Sequence, residues 1–198
     1  VCIALVPTLI ASVIIFGIQA LILTAVTVAA CVLFEYGYCK LMGREIPVDD
    51  FSAVVTGMLL AFNLPATLPW WMGVVGAFIA IVIVKQLFGG LGTNFLNHAL
   101  AGRAFLMLSY PVPMTTWVAA GKENWVSIVS AGQAGVDFTT AATPLSIDCM
   151  KGGVTGDYSL SQLFIGNIGG CVGEVSAIAL LIGGIYLIAR GVIRIRIP

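Results

Sequence analysis

Charge is the scarcest property of this 198-residue chain. Asp, Glu, Lys and Arg make up 9% of it, nine residues of each sign, and the formal net charge is zero. Ordinary globular domains carry about 25% charged residues, so the usual solvated surface is missing. The balance of signs leaves no field to draw nucleic acid or an anionic surface, and no nucleic-acid partner is expected. Histidine occurs once, at His98. A metal site needs about three or four ligands, and none is expected here. The five cysteines (Cys2, Cys31, Cys39, Cys149, Cys171) form no C-x-x-C pair. Four lie in or at the end of apolar segments, where free cysteine behaves as a small hydrophobe. No cysteine cluster suits an iron–sulfur centre, and no strand-associated Gly-x-Gly-x-x-Gly offers a dinucleotide site.

What the chain has in excess is apolar surface, with 60% hydrophobic residues. A compact soluble protein of this size cannot hide that much, so the solvent must be largely lipid. The apolar blocks are Val1–Phe16, Leu21–Tyr36, Phe51–Leu64, Trp70–Leu87, Ala99–Val118 and Leu160–Ile193. A bilayer crossing takes about 20 such residues. The first two blocks are short and separated by Gly17-Ile18-Gln19, which reads as a tight helical hairpin. Phe51–Leu64 is shorter still and ends in Asn63-Leu64-Pro65, as a half-helix would, with a break that neighbouring protein must cover. Gly89-Gly90-Leu91-Gly92 interrupts the chain between Trp70–Leu87 and Ala99–Val118. Asn167, Gly169, Gly170, Gly173 and Glu174 interrupt the last block and leave Ser176–Ile193 as its clean span. The expected fold is an all-α, polytopic integral membrane bundle with broken helices, a pattern typical of folds that build a site at membrane depth. Its parts are helices over 1–118, a loop over 119–159, and a broken helix followed by a span over 160–198.

The few charges orient the chain. Lys40 and Arg44 mark one loop as cytoplasmic, and Arg190, Arg194 and Arg196 mark the C-terminal tail likewise. Three crossings then put Ala119–Ser159 outside, and one more returns the arginines; if Phe51–Leu64 is re-entrant instead, that loop lies in the cytoplasm. The sequence starts at Val1 inside an apolar run, without methionine, and stops after a basic tail, so it reads as a fragment of a longer chain. A cleavable signal peptide is not expected, because the first run exceeds the usual ~7–15 apolar residues and lacks a basic leader.

Four charged residues fall inside apolar blocks, where each costs a few kcal/mol. Glu35 and Lys85 lie near block ends, from which long side chains reach the interface. Arg103, early in its span, is suited to pairing with a carboxylate or to stabilising an anionic flavin. Glu174, in the glycine-broken stretch, is the candidate for an ion pathway; capping the following helix is the alternative. His98 is expected to cap or hydrogen-bond at a helix start. The tryptophans Trp70, Trp71, Trp117 and Trp125 fall near segment ends, as an interfacial belt requires.

The long loop contains Asp137-Phe138-Thr139-Thr140-Ala141-Ala142-Thr143-Pro144-Leu145. Asp137 and Thr140 can bond nearby amides, and Pro144 forces Thr143 toward extended geometry. The Thr143 hydroxyl is thereby displayed between small neighbours. The pattern Asp-x-x-(Ser/Thr)-(Gly/Ala)-Ala-Thr resembles the acceptor motif of bacterial flavin transferases, which join flavin mononucleotide (FMN) to threonine through a phosphoester. Ala141 departs from the usual glycine but is small enough to leave approach open.

The resemblance widens along the chain. Ser52-Ala53-Val54-Val55-Thr56-Gly57-Met58-Leu59-Leu60-Ala61-Phe62-Asn63-Leu64-Pro65, Phe88-Gly89-Gly90-Leu91-Gly92-Thr93-Asn94-Phe95, Ala99-Leu100-Ala101-Gly102-Arg103-Ala104-Phe105 and Gly173-Glu174-Val175-Ser176 are similar to the RnfD component of Rnf ion-translocating ferredoxin:NAD oxidoreductase complexes. The NqrB component of the sodium-pumping NADH:quinone reductase is the rival. The resemblance implies a urea-channel-like helical component of a bacterial inner membrane, multi-pass, that relays electrons while its complex pumps Na⁺ or H⁺. It implies covalent FMN on Thr143, with Asp137, Thr140, Ala142 and Pro144 shaping an extracytoplasmic loop. It also implies a non-covalent riboflavin, assigned to Gly89, Gly90, Asn94, Asn97 and Arg103, with both asparagines on one helical face. The implied partners are the Rnf components of the A, B, C, E and G types, a flavin transferase and membrane lipid. A small-solute transporter suits the broken helices equally but leaves the acceptor motif unexplained, and an inert scaffold predicts no effect of Thr143→Ala on electron transfer.

Overall fold

A computed structural model describes residues 1–43, 50–90, 96–118, 160–166, 168–174 and 176–193. The described residues are helical, with one isolated antiparallel bridge, Pro65 to Cys171, and no strand. The helices are α1 (Cys2–Phe16), α2 (Ile18–Met42), α3 (Ser52–Phe62), α4 (Trp70–Phe78), which runs on as a π-helical stretch over Ile79–Gln86, α5 (His98–Ser109), α6 (Pro111–Thr115), α7 (Leu160–Ile165) and α8 (Ala177–Ala189). The loop 119–159, with Asp137, Thr140, Ala142, Thr143 and Pro144, lies outside the described residues, as do Asn94, Arg44, Arg194 and Arg196.

The helices are turned inside out relative to those of a soluble domain. The buried residues of α1 are Ala4, Thr8, Ser12 and Phe16, a face at four-residue spacing that is small or polar until Phe16, while Ile3, Ile10 and Ile14 point outward. In α2 the buried set includes Gln19, Thr24, Thr27 and Glu35, while Ile22 and Leu33 are exposed. A soluble helix shows the reverse. The inward hydroxyls of α2 are satisfied within their own helix: Thr24 and Thr27 donate to the carbonyls of Ala20 and Leu23, each at 2.7 Å. The outward face of α8 is likewise isoleucine and leucine, with Leu181, Ile182 and Ile185 all exposed. So much contiguous apolar surface requires lipid or protein around it.

Most breaks fall where backbone chemistry puts them. Gly17, at φ 78°, is the single residue between α1 and α2. Helix α2 runs 25 residues, well beyond the expected apolar block, and it alone among the described helices is long and apolar enough to cross a membrane by itself. The expected span Ala99–Val118 is divided. Tyr110 leaves the helical region at φ −133°, because Pro111 disfavours helical geometry in the residue before it. Helix α3 has 11 residues, about 16 Å at 1.5 Å per residue, roughly half of a hydrocarbon core. It stops at Asn63, as the half-helix reading expects.

Candidate functional site: two polar centres in an apolar bundle

The first centre forms where two chain breaks meet. After α3 the chain runs Asn63-Leu64-Pro65, and before α8 it runs Cys171-Val172-Gly173. The amides of Asn63 and Leu64 still bond back into α3, but the carbonyls of the break take partners from the other segment: the amides of Val172 and Gly173 donate to the carbonyls of Leu64 (3.0 Å) and Phe62 (2.9 Å). Leu64, Pro65, Cys171 and Val172 are buried, so the pairing also satisfies groups that water cannot reach. Gly173 is required for this approach, because a methyl group there would overlap the Phe62 side chain.

Helix α5 completes the junction. At Gly102 an added Cβ would sit 2.9 Å from the carbonyl oxygen of Gly76, so glycine lets α5 lie directly on α4. The next residue, Arg103, donates from Nη1 to Asn63 Oδ1 at 3.0 Å, and the Asn63 amide nitrogen donates to the Leu59 carbonyl at 2.8 Å. Arg103 is therefore held by an amide; a carboxylate was one of its two expected partners, a flavin the other. The Cys171 thiol bonds the Asn63 carbonyl at 3.5 Å and lies within the fields of Arg103 and Glu174. Arg103 and Glu174, singled out separately in the sequence, flank one thiol. Glu174 itself is exposed, not an interior charge, and it is not the cap of α8. Ser176 is, accepting from the Ala179 amide at 3.4 Å.

The second centre is sealed. Lys85 Nζ meets Glu35 Oε1 at 2.5 Å, and their residues are only 1% and 5% exposed. Gln86 donates a second bond to the same oxygen at 3.0 Å, and Lys85 also donates to Ser52 Oγ at 2.7 Å. The expectation that Glu35 and Lys85 snorkel is therefore overturned. Helix α2 continues to Met42, so Glu35 is two turns inside it. The π-helical stretch underwinds the backbone, which narrows the angle between successive side chains and lets both Lys85 and Gln86 face Glu35. Burying two charges costs several kcal/mol per ion, so such a pair is a functional signal more than a stabilising device.

A cavity of about 690 Å³ opens beside this pair, lined by Ser52, Val55, Thr56, Leu59, Asn97 and His98, with Asp50 at its exposed edge. Its size is within the roughly 300–1,000 Å³ of small-ligand sites. Asn97 is the N-cap of α5, its Oδ1 accepting from the amides of Ala99 and Leu100, so it precedes the helix; Asn94 lies outside the described residues. His98 is not the cap; its Nε2 is buried and finds no partner among the described residues. Gly89 and Gly90, at φ 103° and 96°, end the π-helical stretch and do not line the cavity, nor does Arg103. The described residues assigned to a second flavin are thus divided among three places: Asn97 at the cavity, Arg103 at the break junction, and Gly89 and Gly90 at the end of the π-helical stretch. Sequence reasoning passed over Ser52, whose only signal is its place at the start of α3.

Inward hydroxyls, outward isoleucines, paired chain breaks and a sealed ion pair define a helical protein built for an apolar surround, with polar centres in its interior. Its relatives make this specific. Residues 1–198 match the NQR2, RnfD, RnfE family, and the chain belongs to that family. Three relatives are D components of ion-translocating oxidoreductase complexes. The chain is 50% identical over 199 residues, 99% of this chain and 58% of the relative, to that of the Na(+)-translocating ferredoxin:NAD(+) oxidoreductase complex of Acetobacterium woodii. It is 42% identical over 205 residues, 100% of this chain and 59% of the relative, to that of the proton-translocating ferredoxin:NAD(+) oxidoreductase complex of Clostridium ljungdahlii. It is 36% identical over 216 residues, 100% of this chain and 61% of the relative, to that of the ion-translocating oxidoreductase complex of Stutzerimonas stutzeri. The chain spans about three-fifths of the length of these relatives.

Proposed function

We propose that this chain is part of the D component of an ion-translocating ferredoxin:NAD oxidoreductase complex, crossing a bacterial inner membrane several times. The observation that carries the reading is the 50% identity to a protein of that name across nearly the whole chain. The protein relays electrons between its partners while the complex moves Na⁺ or H⁺; this chain has no iron–sulfur or dinucleotide motif of its own. FMN is joined to Thr143 through a phosphoester in a loop on the extracytoplasmic side, opposite Lys40 and Arg190. A second, non-covalent flavin occupies the cavity beside Asn97 and His98, which has the polar groups and the volume for it. Arg103 and Glu174 belong instead to the break junction, where Glu174 is the residue proposed for an ion pathway.

The test is intact mass of the full-length protein from a host expressing the flavin transferase. The wild type gains the mass of one FMN less water, and Thr143→Ala does not. Equal masses, with no fluorescent band in a denaturing gel for either, defeat the covalent-flavin reading. A small-solute transporter is the second reading, because paired chain breaks such as Asn63–Pro65 with Cys171–Gly173 are also what a permeation path uses. Solute flux in vesicles carrying this protein alone would favour it.

A further inference from the structure

The end of α3 is where a broken helix would hold a cation. A helix C-terminus carries partial negative charge, and α3 stops after 11 residues, about half of a hydrocarbon core. Free carbonyls at such ends coordinate ions in transporters. Here the oxygens are occupied. The Asn63 side-chain amide, the backbone amides of Asn63, Leu64, Leu68, Val172 and Gly173, and the Cys171 thiol donate to them, so each carbonyl from Leu59 to Pro65 already has a donor.

The positive charge at this end belongs to the protein itself. Arg103 Nη1 lies 3.0 Å from Asn63 Oδ1. The residue is half-buried and makes no ion pair among the described residues. A guanidinium does not lose its proton, and a neutral amide holds it without cancelling its charge. Placing a charge in an apolar bundle is costly, and the fold does not require one, because an uncharged donor would serve Asn63 Oδ1 as well. Glu174, exposed, acts on the same Cys171 thiol as Arg103 does. Carboxylate and guanidinium thus stand on either side of the break. Fixed arginines in a permeation path exclude cations and protons.

Resting on the reading of Glu174 as part of an ion pathway, we propose that Arg103 is the electrostatic barrier of that pathway, a fixed positive charge at the end of α3 that keeps Na⁺ and H⁺ from leaking through the paired breaks. Glu174 attracts the cation, and Arg103 repels it from the break. Asn63 is the positioning residue for the barrier: it aims the guanidinium at the helix end and leaves its charge intact, which a carboxylate at the same place would not.

The experiment uses the assembled complex, containing the full-length protein, in sealed vesicles. Without an electron donor it reads passive efflux of radioactive sodium and the decay of an imposed pH gradient; with a donor it reads ions moved per electron. Arg103→Gln, which keeps a donor for Asn63 but no charge, raises at least one passive leak about tenfold, as a barrier lowered by about 1.4 kcal/mol does. Arg103→Lys stays within about threefold of the wild type. Asn63→Asp, nearly isosteric, neutralises the guanidinium where it stands and leaks as Arg103→Gln does; it decides the matter if Arg103→Gln does not assemble. Equal leaks in Arg103→Lys and Arg103→Gln would mean that packing and not charge closes the break, and the proposal fails. Tight vesicles with both Arg103→Gln and Asn63→Asp, where Glu174→Gln abolishes driven transport, overturn the barrier and leave the ion-pathway reading standing. If Glu174→Gln moves as many ions per electron as the wild type, the ion-pathway reading fails and takes this assignment with it.

Discussion

The two polar centres meet the same difficulty in opposite ways. At the ion pair, side-chain charges are removed from solvent together: Glu35 Oε1 receives both Lys85 and Gln86, and Lys85 is tied further to Ser52. At the break junction the unpaired groups are backbone amides and carbonyls, and they are satisfied by a second broken segment from 108 residues further along the chain. The first centre is closed and depends on complementarity of charge. The second is partly open, with Glu174 exposed, and depends on close approach of main chains. A sealed pair tolerates loss of one partner badly, because the survivor is left charged and dry. A backbone junction tolerates side-chain loss better and bulk worse.

The largest expected effect breaks the first centre. Lys85→Met leaves Glu35 without its counter-charge and should destabilise the protein by about 3–5 kcal/mol, read as a lowered midpoint of thermal unfolding in detergent. Combining it with Glu35→Gln should recover much of that loss; a double variant as unstable as the sum of the singles would mean the two do not act as a pair. Next comes bulk at the second centre. Gly173→Ala drives a methyl group into Phe62 and should cost about 1–3 kcal/mol by the same measurement, with Phe62→Leu in the same chain relieving part of it. Smaller again is Asn97→Ala, which removes the cap of α5 and should cost about 1 kcal/mol. Smallest is Asn63→Ala, which frees Arg103 from its amide at about 0.5 kcal/mol, the low end for one hydrogen bond. If Asn63→Ala proves as damaging as Lys85→Met, the contrast between the two centres does not hold.

Much of the architecture was legible in the sequence. The break at Gly17, the stop at Asn63, the glycines at 89 and 90 and the interrupted stretch before α8 are all written in glycine, proline and amide residues. These act on their own local backbone. The pairing of Glu35 with Lys85 was not legible. Fifty residues separate the two, and hydropathy ended the second block at Tyr36, although α2 continues to Met42 as a less apolar helix. Asn97 was misread for a related reason: placing the helix start at Ala99 hid the capping position just before it. His98 offered no pattern at all, since a lone histidine signals nothing until its surroundings are known.

The sequence by itself determined the solvent, the number and length of the apolar blocks, most of the places where helices stop, and the loop in which Thr143 stands beside small neighbours. Each of these follows from composition or from the stereochemistry of one or two adjacent residues. Tertiary structure alone decided that Lys85 and Glu35 neutralise each other, that the two broken segments complete one another's hydrogen bonds, and that Arg103 and Glu174 flank Cys171 while Asn97 and His98 face a separate cavity. Those outcomes depend on packing between helices distant in sequence, where a π-helical turn or a missing Cβ chooses which side chains meet.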